Sequence, residues 1–278
     1  MADQQRIAVT GATGRLGRLL QIVWSARPPE GLAPLWIGHR TTTDPGFLRA
    51  DLTRELPDLP EGCIILHLAG SVAPGRVASD HEALARAAVM LAEKCKARHL
   101  FLASSAAVYG IGAAPHAEDS SPQPVSAYGR AKLAAEMVAA GRAATTALRI
   151  GNIAGADAIL GNPAPRLVLD PVTDQPDGPV RSYIGPRTLA RVLAGLAVLA
   201  RAGTGLPATL NIAQAPPVGM AALLRAAQRD FDWGAENPAV IPRVELETGR
   251  LQSLLPDLAP ASPAGLVAEL LSLPDWRP

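Results

Sequence analysis

Cysteine is close to absent from this chain of 278 residues: Cys63 and Cys95 are the only two, and neither stands in a Cys-x-x-Cys pair or beside a histidine at ligand spacing. That excludes a disulfide framework and a zinc site, and leaves both as small buried apolar residues. His39, His67, His81, His99 and His116 show no metal-ligand spacing either, so no metal is expected. Charge of one sign is also lacking. The formal net charge is +1, which removes the field that a nucleic-acid partner requires, while 48% hydrophobic residues suffice for a large core. No apolar run reaches the roughly 20 residues of a bilayer span. The most apolar long stretch, Leu189 to Ala202, is broken by Arg191 and Arg201, and only Ile7 to Thr10 precede Gly11, too few for a secretory leader. A cytoplasmic protein with a small-molecule substrate and no membrane partner is expected.

What is present is an alternation. Arg6–Thr10 reads as a buried strand, Gly11 to Gly17 as a glycine turn, and Leu16–Ala26 as a helix stopped by Pro28 and Pro29. Further strands are expected at Pro34–Gly38, Phe47–Ala50, Cys63–Leu68, Leu100–Ala103 and Thr146–Ile150. Helices are expected over Glu82–Lys96, with Ser79 as a cap, and over Ser126–Ala140. This rhythm predicts an α/β fold: a doubly wound parallel (Rossmann) sheet. Beyond Ile150 the chain turns Pro- and Gly-rich up to Val180, then resumes with a helix opened by Pro186 and a strand at Thr209–Ala213. Residues 1–150, with 182–213 returning, are expected to form the dinucleotide-binding domain. Residues 151–181 and 214–278 are expected to form a smaller, C-terminal substrate-binding lobe.

Gly11-Ala-Thr13-Gly14-Arg15-Leu16-Gly17 follows the first strand and opens the first helix, so backbone amides and a helix N-terminus can meet a pyrophosphate with no side chain in the way. Twenty-odd residues on, an acid would bond the ribose hydroxyls of NAD, whereas a base would accommodate the 2′-phosphate of NADP. The chain reads Gly38-His39-Arg40, with no carboxylate before Asp44. Arg40, with Arg15 as a second cation, therefore points to NADP; NAD is the alternative if both are ordinary surface arginines.

Ser104 and Ser105 follow a buried strand at the edge where open α/β sheets bind ligands. Tyr128 and Lys132 are spaced to share one helix face. A phenol of reference pKa about 10 must fall by roughly 3 units to act near neutrality, about 4 kcal/mol. One charge about 4 Å away supplies about 4 kcal/mol at an effective dielectric of 20 but only about 1 kcal/mol in water. The pair therefore needs a shielded cleft.

These motifs, together with Asp51-Leu52, His67-Leu-Ala-Gly70, Ser-Ser-x-x-Val-Tyr-Gly and Leu148-Arg-Ile-Gly-Asn152, resemble the NAD-dependent epimerase/dehydratase family of extended short-chain dehydrogenases/reductases. The resemblance implies Gly11, Gly14 and Gly17 at the pyrophosphate, Asp51 and Leu52 by the adenine, and Leu68, Ala69 and Gly70 along the cofactor. Ser105, chosen because it stands four residues before Tyr109, would be catalytic with Tyr128 and Lys132. Tyr128 would move a proton, Ser105 share the substrate oxygen, and Lys132 also hold the nicotinamide ribose. Arg149 and Asn152 follow a family motif, as substrate contacts or as partners of nearby backbone. Arg181 meets an anionic substrate group or is a surface arginine.

The chain departs from the family in places. The usual asparagine falls at His81, the stretch from Gly155 to Arg181 is short, and Ala106-Ala107 replace the Asp-Glu pair of the dehydratases. The resemblance implies an NADP-preferring oxidoreductase or an epimerase acting at a hydroxyl or keto carbon of a carbohydrate-like or nucleotide-sugar substrate. It also implies a homodimer through the two alanine-rich helices. The competing class is a non-catalytic redox sensor that binds NADP(H).

Overall fold

A computed structural model of the chain describes residues 4–39, 46–70 and 77–274, and for 77–79 the backbone alone. Its elements run β1 (Gln5–Thr10), α1 (Arg15–Ala26), β2 (Leu32–Gly38), β3 (Phe47–Arg49), β4 (Ile64–His67), α2 (Val77–Lys94), β5 (His99–Ser105), α3 (Ala127–Ala139) and β6 (Thr145–Ile150). They continue with β7 (Asn152–Ile153), β8 (Arg166–Leu169), β9 (Val180–Ile184), α4 (Pro186–Arg201), β10 (Thr209–Ile212), β11 (Gln214–Gly219), α5 (Met220–Ala226), β12 (Asp230–Trp233), β13 (Arg243–Val244), α6 (Gly249–Leu254) and α7 (Pro263–Leu271). The chain divides into two compact units. The first holds Met1–Gly110, Pro122–Arg149 and Ala190–Leu210; the second holds Ile111–Ser121, Ile150–Leu189 and Asn211–Pro278.

A seven-stranded parallel sheet, in the order β10-β6-β5-β4-β1-β2-β3, realises the doubly wound architecture expected from the alternation. Strands covered on both faces need unbroken apolar runs. Ile7–Val9, Ile64–Leu66 and Leu100–Leu102 supply them, all at most 2% exposed. Pro34 is tolerated inside β2 because β3 pairs only from Trp36 onward, so the proline sits where that side of the strand has no neighbour in the sheet.

Two of the boundaries that differ from the sequence reading bear on the site. α2 starts at Val77, not near Glu82, so Ser79 lies inside the helix instead of capping it, and Asp80 falls in a first turn that favours acids. β5 extends to Ser105, so both serines belong to the strand. Ser126 caps α3, its hydroxyl accepting from the Gly129 amide at 2.9 Å.

The second unit builds a sheet ordered β11-β9-β13, with β7 also on β9, and a separate parallel pair of β8 and β12. These strands were not legible in the sequence: β11 carries Pro216 and Pro217 and runs through a register shift between Gln214 and Val218. Its apolar centre includes Tyr183, Leu223, Leu224, Leu160 and Leu266. Among the described residues no helix is long and apolar enough to cross a membrane.

Gly17 decides how α1 sits on β1. A Cβ there would lie 2.5 Å from the Cα of Ala12, a backbone atom that cannot swing aside. Alanine in a helix is worth up to about 1 kcal/mol over glycine, but overpacking against backbone costs about 1–3 kcal/mol. Gly17→Ala should therefore destabilise the protein by about 1–2 kcal/mol in urea unfolding; a stabilised variant would show that α1 is free to move outward.

Candidate active site

A cleft of about 540 Å³ opens at the carboxyl ends of β1, β2 and β4. Its lining comes from Gly11, Thr13 and Gly14, from Ile37 to His39, from Ala50 to Thr53, from Leu68 to Gly70, and from Asp80 and Leu84. Gly11 has φ +72°, and a Cβ there would lie 2.5 Å from the Ala69 amide, so the glycine turn touches the chain after β4 through bare backbone. Gly14 is the N-cap of α1 without a side-chain hydrogen bond, which leaves the first-turn amides for an anion. This cradle fits a dinucleotide pyrophosphate.

Asp51 borders the cleft, its Oδ1 accepting from the Thr53 amide at 3.1 Å and the Thr53 hydroxyl at 2.7 Å. These bonds, aided by Arg54, hold its carboxyl below the usual carboxylate range. Leu52 is buried beside it. Arg15 is exposed at the start of α1 and, like Leu16, does not line the cleft; Gly17 packs instead of lining. Arg40 lies outside the described residues.

In the same unit Ser105 ends β5, and its hydroxyl accepts from the Ala107 amide at 3.2 Å at the start of a 3-10 turn over Ala106–Val108. α3 comes close to that turn at Gly129, where a Cβ would stand 2.4 Å from the Ala107 carbonyl oxygen. The neighbouring Tyr128 is thereby brought to Ser105, whose hydroxyl is close enough to favour the phenolate. Lys132 follows one turn later. Its Nζ donates to the Ala103 carbonyl at 2.8 Å and lies 5.8 Å from the centre of the Tyr128 ring. The structure thus brings Ser105, Tyr128 and Lys132 together.

Their electrostatics differ from the sequence expectation. Burial pushes the Tyr128 phenol above its usual range, only partly opposed by the neighbouring Ser105 hydroxyl. Burial pulls Lys132 down to about 8, with Glu136 opposing that fall.

Glu136 is the residue the sequence reading missed. It accepts from the Ser104 hydroxyl and pairs with Arg149 through Nη2 at 2.8 Å and Nε at 3.1 Å, both side chains at most 8% exposed. Arg149 also stacks 4.8 Å from the centre of the Tyr109 ring. Arg149 is thus held by the side chains of Glu136 and Tyr109. The signal for Glu136 was its four-residue spacing from Lys132, which places both on one face without revealing that the face is buried.

Beneath the cleft Thr10 and His67 share a hydrogen bond of 2.8 Å, and burial pulls the His67 imidazole down to about 3, which keeps it neutral. Asn152 and Arg181 stand on the second unit. Asn152 pairs with Tyr183 in the β7–β9 ladder, and the Tyr183 hydroxyl donates to Asp157 at 2.8 Å. Arg181 donates to the Val180 carbonyl at 2.8 Å and, among the described residues, pairs with no carboxylate.

Fold and cradle are those of a dinucleotide-binding α/β protein. The sequence model of the NAD dependent epimerase/dehydratase family matches residues 7–170, and the chain belongs to that family. No curated protein sequence matches it. Among solved structures it is similar to UDP-glucose-4-epimerase from Stenotrophomonas maltophila, with bound NAD and formylated UDP-arabinopyranose, at TM-score 0.78 and 17% identity over 96% of both chains. It is also similar to TunA, an NAD dependent NDP-hexosamine 5,6-dehydratase of tunicamycin biosynthesis, at TM-score 0.74 and 18% identity over 97% of both chains. The UDP-glucose 4-epimerase from Brucella ovis in complex with NAD gives TM-score 0.74 and 18% identity, over 95% of this chain and 96% of that one.

Glu136→Gln should leave Arg149 as an uncompensated buried charge and cost about 3–5 kcal/mol in chemical unfolding. A loss under about 1 kcal/mol would mean that water reaches the pair.

Proposed function

We propose that this chain is an NAD(P)-dependent oxidoreductase or epimerase acting at a hydroxyl or keto carbon of a nucleotide-sugar-like substrate, with Tyr128 as the acid/base group. The observation that carries this reading is the Tyr128 phenol placed beside the Ser105 hydroxyl, with Lys132 one turn further along α3, in the unit that also contains the glycine cradle. A nicotinamide dinucleotide, when bound, supplies hydride exchange. The residues do the rest. Ser105 orients the substrate oxygen, and Tyr128 gives its phenolic proton to a carbonyl oxygen or takes one from an alcohol. With its acidity suppressed by burial, the phenol stays protonated at neutral pH, the form required to protonate a carbonyl.

Asp51 and Leu52 take the adenine end, Leu68 to Gly70 run along the cofactor, and Lys132 holds the nicotinamide ribose. The first unit binds the cofactor and the second the substrate, through Asn152 and Arg181. Ala106 and Ala107 put no acid beside Ser105, which favours a reductase or epimerase over a dehydratase. NADP is the preferred cofactor, because the end of β2 carries His39 and Arg40 where an NAD site would carry a carboxylate. A cytoplasmic homodimer through α2 and α3 is the assembly proposed; Met90 and Met137 are 56% and 69% exposed there.

Tyr128→Phe should keep cofactor affinity in calorimetry while turnover of UDP-sugars falls about 10²–10⁴-fold; undiminished turnover removes Tyr128 from the chemistry. Activity should decline above pH about 8 as Lys132 loses the proton needed for its role, the charged form prevailing below that value. An alkaline limb lying beyond pH about 10, the ordinary lysine range, would contradict this. Arg40→Asp should lower the ratio of NADPH to NADH affinity about tenfold or more, and an unaltered ratio would take the 2′-phosphate away from Arg40.

A further inference from the structure

We infer that His81 is a positioning residue for Tyr128: its imidazole is a wedge between Gly70 and the phenol ring that keeps the phenol on Ser105. The effect on turnover rests on Tyr128 being the acid/base group; the placement does not.

His81 lies on α2 between two clefts of packing. Its side chain is 3% exposed. On one side its ring meets Tyr128 edge to face, centres 5.8 Å apart and planes at 75°, within the 4.5–7 Å range of attractive aromatic pairs. On the other it occupies the place where a side chain at residue 70 would begin: a Cβ on Gly70 would lie 2.3 Å from the imidazole Cε1 and 2.7 Å from Nδ1. Gly70 lines the dinucleotide cleft, so a single ring spans from the cleft wall to the phenol. Three described groups face Tyr128. Ser105 lies beside its hydroxyl, Lys132 approaches its ring from α3, and His81 closes the side toward α2, with His67 close to both His81 and Lys132. Among these, Ser105 fixes only the oxygen. The plane of the ring needs a second surface, and the imidazole provides it.

The test is an alkaline titration of the full chain, followed by tyrosinate absorbance. Only three tyrosines contribute, and Tyr109 and Tyr183 are 1% and 0% exposed, so the phase lost in Tyr128→Phe belongs to Tyr128. Removing the wedge lets water reach the phenol. His81→Ala should therefore lower the Tyr128 midpoint, because relief of burial, the larger influence, outweighs any loosening of the Ser105 contact, and bring it toward the free value of about 10. His81→Phe, which refills the space, should keep the wild-type midpoint.

Gly70→Ala should displace the imidazole and reproduce the shift, and adding it to His81→Ala should bring no further change. If His81→Ala does not fold, Gly70→Ala carries the test. A wild-type midpoint in either single variant, a fall in His81→Phe as large as in His81→Ala, or shifts that add in the double variant would overturn the wedge. Turnover separates the two readings: if His81→Ala moves the midpoint while Tyr128→Phe still turns over, the positioning stands and the acid/base assignment falls.

Discussion

The position of α3 depends on a buried line of charge. Lys132, Glu136 and Arg149 bring two cations and one carboxylate out of water, and each ion costs several kcal/mol to desolvate unless its partners are well placed. The partners are placed: Ala103 and Ser104 of β5 and Arg149 of β6 all meet side chains of α3. The buried face of that helix is otherwise Gly129, Ala131, Ala135 and Ala139, too small and smooth to fix how the helix slides or turns on the sheet. The polar contacts fix it. Since Tyr128 is carried on the same helix, the register that satisfies Glu136 also sets where the phenol meets Ser105.

Burial of that line has a chemical consequence. It pulls Lys132 down to about 8, with Glu136 opposing the fall, while the ammonium donates to the Ala103 carbonyl. Burial also raises the Tyr128 phenol, which keeps it protonated at rest. A reading from spacing alone assigned the opposite sign, because four residues on a helix specify a shared face and not which groups on that face touch.

Much of the architecture was legible for a plain reason. Parallel strands must be apolar along their whole length, so β1, β4 and β5 announce themselves, and Gly11 and Gly17 in the turn after β1 satisfy a steric demand that other residues would violate. Ser105, Tyr128 and Lys132 were legible as a set through the family resemblance. The second unit was not, because β11 accommodates two prolines through a register shift and β7 and β13 are two residues long, below what periodicity can reveal. Glu136 escaped notice since a charged residue on a helix reads as solvent-facing until its partner strands are known. His81 read only as a departure from an expected asparagine, and its contact with Tyr128 depends on α2 and α3 packing side by side.

The account stands on one arrangement: a nicotinamide dinucleotide lying in the cleft with its ribose within reach of the α3 side chains. A crystal structure of the chain grown with NADPH measures it most directly. The account predicts the pyrophosphate on the Gly11 to Gly14 turn and a ribose hydroxyl at hydrogen-bond distance, about 2.7–3.2 Å, from the Lys132 ammonium or the Tyr128 phenol. A dinucleotide bound in the cleft with its nicotinamide end directed away from both side chains would contradict it.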